Sequence, residues 1–263
     1  MTESRRTKDV DLTIEIDADA ETVWRAISDG EEIARWFPLN ADVEPRVGGK
    51  YKIDWGPDCA GQGTITAWED GVRLRYEEEW PGADVAVPVT VEYTIESRGG
   101  KTIVRMVNAG FSADEDWADY LDTIDSGWRY FLWNLKVYVE RHAGTPRRMV
   151  WDRRKIAVDK AEAWKLLLGD GGLASAALPV ADQDRVVLWS GAEGTAGMVN
   201  EPIHFTARFE AINDALLLIE LEPGQGEYSL GVWLSLYGVP EAQAAELERS
   251  LKVTLDGLFD LPA

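Results

Sequence analysis

Residues Asp125–Glu140, "DSGWRYFLWNLKVYVE", set five aromatic side chains on one stretch of helical periodicity. At about 100° per residue, Trp128, Phe131, Leu132, Leu135 and Val139 share a broad face, which continues upstream through Trp117, Tyr120, Leu121 and Ile124. Tyr130, Trp133 and Val137 make a second stripe on the opposite side. A helix that is apolar on two sides needs two covers. The broad face predicts packing against a sheet. The narrow stripe predicts a domain interface, with the domain joined a few residues later as first candidate and a homodimer contact as the next. Gly127, at the edge of the broad face, costs about 1 kcal/mol of helix propensity, so it predicts a close approach of backbone to sheet or ligand.

Upstream, the period changes. "DLTIEID" alternates Leu12, Ile14 and Ile16 with polar residues, as a half-buried strand does. "ADAETVWRAIS" reads as a helix, and Ser28 with Glu31 forms an S-x-x-E capping box for a second short one, "EEIARWF", stopped by Pro38. From Lys50 to Ala109 the chain follows period two: "YKIDW", "GTITAW", "VRLRY", "VTVEYTIE" and "TIVRMVN", with short turns such as "SRGG" between several of them. These are antiparallel hairpins. Ser112 and Glu115 form a further capping box, opening the long helix that runs to about His142.

Downstream, "HAGTPRR" (142–148) reads as a linker, and the same order recurs. "RRKIAVD" is a strand and "KAEAWKLLLG" a helix. "RVVLWS", "IHFTARFE", "ALLLIELE" and "YSLGVWLSLYG" are strands, and a closing helix follows Pro240. "IDADAETVWRAI" aligns with "VDKAEAWKLLL", placing Trp24 opposite Trp164. The expected domains are 1–143 and 144–263.

This order resembles the START-like helix-grip superfamily. Residues 9–142 are similar to the domain family named after the activator of the ninety-kilodalton heat-shock protein ATPase, through "AETVWRAISDGEEIARWF" (20–37), "VEPRVGGKYKI" (43–53) and "SGWRYFLWNLKVYVE" (126–140). The second half fits by element order alone and lacks counterparts of Trp36-Phe37, Gly48-Gly49 and Gly127-Trp128. The resemblance implies an α+β helix-grip fold, a curved antiparallel sheet wrapped around a long C-terminal helix, here twice in tandem. It also implies a cavity between sheet and helix that holds an apolar small molecule in many relatives.

Composition limits the function. The chain has 263 residues, 45% hydrophobic and 28% charged, with a net charge of −20. That charge opposes binding to nucleic acid or to anionic membranes, both of which need clustered Lys and Arg. No apolar run approaches a membrane span, the start lacks a secretory h-region, and the single cysteine, Cys59, has no disulfide partner. A cytoplasmic protein is the expectation. The two histidines, His142 and His204, lack ligands at metal spacing, and no phosphate loop, dinucleotide fingerprint or nucleophile elbow occurs. No catalytic residue, metal or cofactor is nominated. "EEE" at 77–79 reads as a solvated strand edge.

The expected cavity of the first domain has Trp36 and Phe37 at its mouth. Tyr51, Ile53, Trp55, Tyr76, Tyr93 and Met106 line it from the sheet, and Trp117, Tyr120, Ile124 and Trp128 from the helix. Whether Met106 or Arg105 faces inward is open from sequence. The leading reading is non-enzymatic binding of a small apolar or aromatic ligand. The alternatives are a protein-interaction module of chaperone- or regulator-associated type, and a cyclase- or hydrolase-type enzyme using the same cavity.

Overall fold

The alternation of Leu12, Ile14 and Ile16 is realised in β1 (Thr7–Ile16), which pairs antiparallel with β7 (Lys101–Ser112). The computed structural model describes residues 7–56, 60–79, 89–112, 118–223 and 228–259. They form two compact units, Met1–Gly144 and Thr145–Ala263.

In the first unit, β2 (Asn40–Val43), β3 (Lys50–Asp54), β4 (Ala60–Glu69), β5 (Arg73–Glu79) and β6 (Thr90–Arg98) complete a seven-stranded antiparallel sheet, ordered β1-β7-β6-β5-β4-β3-β2. Register shifts between Lys8 and Val10 and between Ile65 and Ala67 mark bulges, which increase local twist and bend the sheet. Helix α1 (Ala20–Ser28) is capped by Asp19, whose carboxylate accepts from Thr22 N at 2.8 Å, and its Val23 and Ile27 are fully buried.

Helix α2 is shorter than the sequence predicts, Gly30–Ile33, and its cap is Asp29 instead of Ser28. Asp29 has extended backbone and accepts from Glu32 N at 3.1 Å, whereas Ser28 is still helical and its hydroxyl donates back to Trp24 O at 2.7 Å. Helix α3 (Ala118–Val137) continues into a π-helical turn, Tyr138–His142. The expected Ser112/Glu115 box runs into residues outside the described ones. α3 lies against β1, and its Trp128 reaches β6 and β7 on the concave face.

The second unit repeats the plan. Strands β8 (Arg147–Ile156), β9 (Ala174–Ser175), β10 (Arg185–Leu188), β11 (Glu193–Asn200), β12 (His204–Phe209), β13 (Ala215–Pro223) and β14 (Tyr228–Tyr237) form a sheet ordered β8-β14-β13-β12-β11-β10-β9. Helix α4 (Lys160–Leu168) follows the first strand and α5 (Glu241–Phe259) the last. Asp159 caps α4 as Asp19 caps α1, and Trp164 stands five residues past its cap just as Trp24 does. The architecture is thus a tandem pair of helix-grip sheets, each with its C-terminal helix. Two sequence expectations are corrected. Arg147 and Arg148 are not linker but the start of β8, where Arg148 pairs with Glu241 and Glu248 of α5. β11, "EGTAGMVN", is a strand whose small residues hide the alternation.

Candidate functional site

Alternation brings one ring from each of three strands onto the concave face of the first unit: Tyr51 (β3), Tyr76 (β5) and Tyr93 (β6), all buried. Tyr51 and Tyr76 do not sit on neighbouring strands, because β4 runs between them. They nevertheless stack, with centroids 4.2 Å apart and planes at 9°. The gap is provided by Gly63, opposite Tyr51 on β4. A Cβ at Gly63 would lie 2.8 Å from Tyr76 Cδ2 and 2.7 Å from Glu77 O.

Around these phenols runs an aromatic wall. Phe37 is its centre, stacked on Trp36 at 5.3 Å and Trp128 at 5.4 Å, with Trp55 at 5.2 Å and Phe131 at 4.6 Å edge-on. Offset and edge contacts of this kind are the favoured geometries for aromatic pairs. Tyr93 meets Trp128 edge-on at 6.3 Å. The indoles are hydrogen-bonded: Trp36 Nε1 donates to Ala26 O at 2.7 Å, and Trp128 Nε1 donates to Asn108 Oδ1 at 2.8 Å. Asn108 in turn donates to Thr90 O at 3.0 Å, and buried Asn134 donates to Trp36 O.

The phenols are not so provided. Neither Tyr51 Oη nor Tyr93 Oη has a hydrogen-bond partner among the described residues, though both are buried. Burial holds all three phenols above the usual tyrosine range. The charge of Glu78 pushes each of them further up, and Tyr76 and Tyr93 also feel their neighbouring phenols. Glu78 shares the concave-facing phase of Leu74 and Tyr76 on β5, so it is not the purely solvated edge that the sequence suggests.

Of the expected lining, the structure joins Trp36, Phe37, Trp55, Tyr93 and Trp128, and separately Tyr51 with Tyr76. Met106 is fully buried opposite Tyr93. Arg105 therefore points outward, where its guanidinium bonds Asp11 at 2.8 and 2.6 Å. Ile53 is half-buried beside Gly61, and Ile124 packs elsewhere, against Val89 and Phe111. Trp117 and the side chain of Tyr120 lie outside the described residues, as does Cys59. Tyr130 and Val137 are buried and Trp133 half-buried on α3.

Gly127 contradicts its expectation, since a Cβ there meets nothing within 4 Å among the described residues. Sequence reasoning missed Gly63, Glu78, Asn108 and Asn134. For Glu78 the signal was present in the alternation Leu74–Tyr76–Glu78; for the asparagines it was only that an indole buried in a core needs an acceptor. Among the described residues no group of His, Cys, Asp and Glu is placed to hold a metal, and no helix is long and apolar enough to cross a membrane.

No curated protein matches the chain. Among solved structures, the Aha1 dimer from Colwellia psychrerythraea is 16% identical over 52% of this chain and 99% of its own, with a TM-score of 0.47. Protein MLL2253 from Mesorhizobium loti is 25% identical over 51% of this chain and 98% of its own, with a TM-score of 0.45. The di-domain ARO/CYC BexL from the BE-7585A biosynthetic pathway is 14% identical over 95% of this chain and 94% of its own, with a TM-score of 0.47. Residues 17–140 match the family described as Activator of Hsp90 ATPase homolog 1-like protein. The N-terminal unit, with its three-phenol concave face and aromatic wall, is a domain of that family.

Proposed function

We propose that the first unit binds a small apolar or aromatic molecule between its curved sheet and α3, without catalysing a reaction. The observation that carries this reading is the pair of buried hydroxyls, Tyr51 Oη and Tyr93 Oη, without hydrogen-bond partners among the described residues, on the face that also carries a wall of rings. Leaving a buried hydroxyl unpaired costs about 1–3 kcal/mol, so a fold that keeps two of them on one face gains by meeting a polar group there. The rings supply the remaining affinity, at about 25 cal/mol per Å² of apolar surface buried, less the cost of ordering the complex.

The test is native mass spectrometry of gently purified protein, before and after denaturation. A small molecule released in near-stoichiometric amount is the expected result. A ligand-free mass, together with no binding of hydrophobic probes, overturns the reading.

One observation favours a second reading. Glu78 brings a carboxylate to the same face as the phenols, and an ionisable group beside a pocket is what an enzyme of cyclase or hydrolase type requires. Incubating the released molecule with fresh protein separates the two. A changed mass with wild type but not with Glu78→Gln supports catalysis; an unchanged mass with both supports simple binding.

A further inference from the structure

Tyr51 and Tyr93 both keep a buried hydroxyl without a hydrogen-bond partner among the described residues, but their rings sit in different company. Tyr51 is stacked on Tyr76 over Gly63, within the packing of the sheet itself. Tyr93 meets Trp128 of α3 edge-on at 6.3 Å. Trp128 in turn is stacked on Phe37 at 5.4 Å and lies edge-on to Phe131 at 6.1 Å, so Tyr93 is in direct contact with the wall of rings.

The sheet positions around Tyr93 leave its proton without an acceptor. Leu74 on β5 and Met106 on β7 stand opposite it, and Val91 and Ile95 flank it in the same phase of β6; all four are buried and apolar. Asn108 follows on β7, opposite Val91, but its Oδ1 already accepts from Trp128 Nε1 at 2.8 Å. Glu78 acts on Tyr93 through its charge and forms no hydrogen bond to it. The indole donors of the wall are engaged as well, Trp36 Nε1 by Ala26 O and Trp128 Nε1 by Asn108. A ligand lying against Trp36 and Trp128 therefore finds their N–H groups taken and the Tyr93 O–H open. Burial holds that phenol above the usual tyrosine range, so at neutral pH it carries its proton.

Resting on the binding reading above, we infer that Tyr93 sets the specificity of the site: its hydroxyl donates to an acceptor oxygen of an aromatic ligand, whereas Tyr51 serves the packing of the sheet.

The test compares two probes of one shape on the full chain by calorimetry: methyl naphthyl ketone and its isosteric alkene, isopropenylnaphthalene. Wild type should bind the ketone at least about 10-fold more tightly, because a site built to hydrogen-bond a group rejects the analogue lacking it. Tyr93→Phe should bring that ratio to about unity with alkene affinity unchanged, and Tyr51→Phe should leave the ratio as in wild type. The Tyr93→Phe protein should also melt no lower than wild type when both are free of ligand, since it loses a buried hydroxyl that has no partner.

Equal binding of ketone and alkene by wild type overturns the inference and leaves the binding reading standing; that comparison needs no variant to fold. A ratio that survives Tyr93→Phe, or that Tyr51→Phe abolishes equally, overturns the role given to Tyr93. A clear fall in the melting temperature of Tyr93→Phe means that the hydroxyl is already bonded within the fold, and it overturns the inference too. Binding of neither probe tells against the binding reading itself, and the inference falls with it.

Discussion

A glycine in the middle of a strand ordinarily weakens it, because it adds chain entropy and packs nothing. Gly63 offsets that cost by leaving room for the Tyr51–Tyr76 stack across β4. Gly63→Ala would press a methyl group against Tyr76 and the Glu77 carbonyl, and backbone atoms cannot swing away. We expect a loss of about 1–3 kcal/mol in denaturant unfolding, as for other overpacked cores. Gly127→Ala is the counter-experiment. With open space at its Cβ among the described residues, it should gain about 0.5–1 kcal/mol from helix propensity. A similar loss at both sites would refute the claim that only Gly63 is there for packing.

Asn108 belongs to the same scale. It accepts from Trp128 Nε1 and donates to Thr90 O, so a single amide joins α3 to two strands beneath it. Asn108→Ala strands a buried indole N–H and a carbonyl at once, and should destabilise by about 2–4 kcal/mol. In a Trp128→Phe background part of that loss should vanish, because one of the stranded groups is gone. Additive losses would mean that the pair is not energetically coupled.

At the scale of elements, the end of α3 is held by a small polar knot. Tyr138, the first residue of the π-helical turn, donates its hydroxyl to Glu32 of α2 and accepts from Gly144 N at 3.0 Å. Glu32 also pairs with Arg35 at 2.6 Å. Burial, and then the neighbouring Glu32, hold the Tyr138 phenol above its ordinary range. Tyr138→Phe frees Gly144 N and removes one bond to Glu32 while keeping the ring, so the expected loss is about 1–2 kcal/mol. Hydrogen exchange should quicken at Gly144 and through residues 138–142, with the sheet unaffected; uniform quickening would point to global destabilisation instead.

This knot also marks where sequence reading stops. The helices, most strands and the inward face of α3 were legible because each rests on a period or on punctuation: Leu12–Ile14–Ile16, Trp128–Leu132–Leu135, Pro240. Asp29 as the α2 cap, the strand nature of "EGTAGMVN", and the Tyr138–Glu32 bond were not. They depend on which of two adjacent cap residues stays extended, on pairing with a partner strand, and on residues 106 positions apart. For the site, the rings were legible from alternation. The missing hydroxyl partners were not, since satisfaction of a donor is a property of packed neighbours and not of spacing.

At the scale of the whole molecule, the repeated plan was visible in the order of elements, but the ionisable groups buried within it were not. In the second unit, Glu220 faces His204 across the β12–β13 register, with a carboxylate oxygen 3.9 Å from Nε2, and accepts from Trp233 Nε1 at 2.7 Å. Burial, helped by Glu222, raises Glu220 to about 7, although Trp233 and Arg153 pull it down. Burial alone lowers His204 to about 4.

The signs of these two shifts oppose. A carboxyl raised in the native state contributes stability that is present below about 4.5 and is lost as pH rises toward 7. An imidazole lowered in the native state contributes stability that is present above about 6.5 and is lost as pH falls toward 4. Between those limits the native pair holds one proton, on Glu220, and the unfolded pair also holds one, on His204. Proton uptake by the pair is therefore balanced, and its contribution to stability is flat with pH.

Each single variant should break that balance in its own direction. Relative to wild type, Glu220→Gln should lose about 1–2 kcal/mol as pH falls from 6.5 to 5, because only the unfolded histidine then takes up a proton. His204→Gln should lose a similar amount as pH rises from 5 to 6.5. The net charge of −20 and the surface ion pairs also titrate, but they are common to all three proteins and cancel in the difference. Urea unfolding at matched pH values measures it. Parallel pH profiles for wild type and both variants would show that Glu220 and His204 titrate in the fold as they do in the unfolded chain.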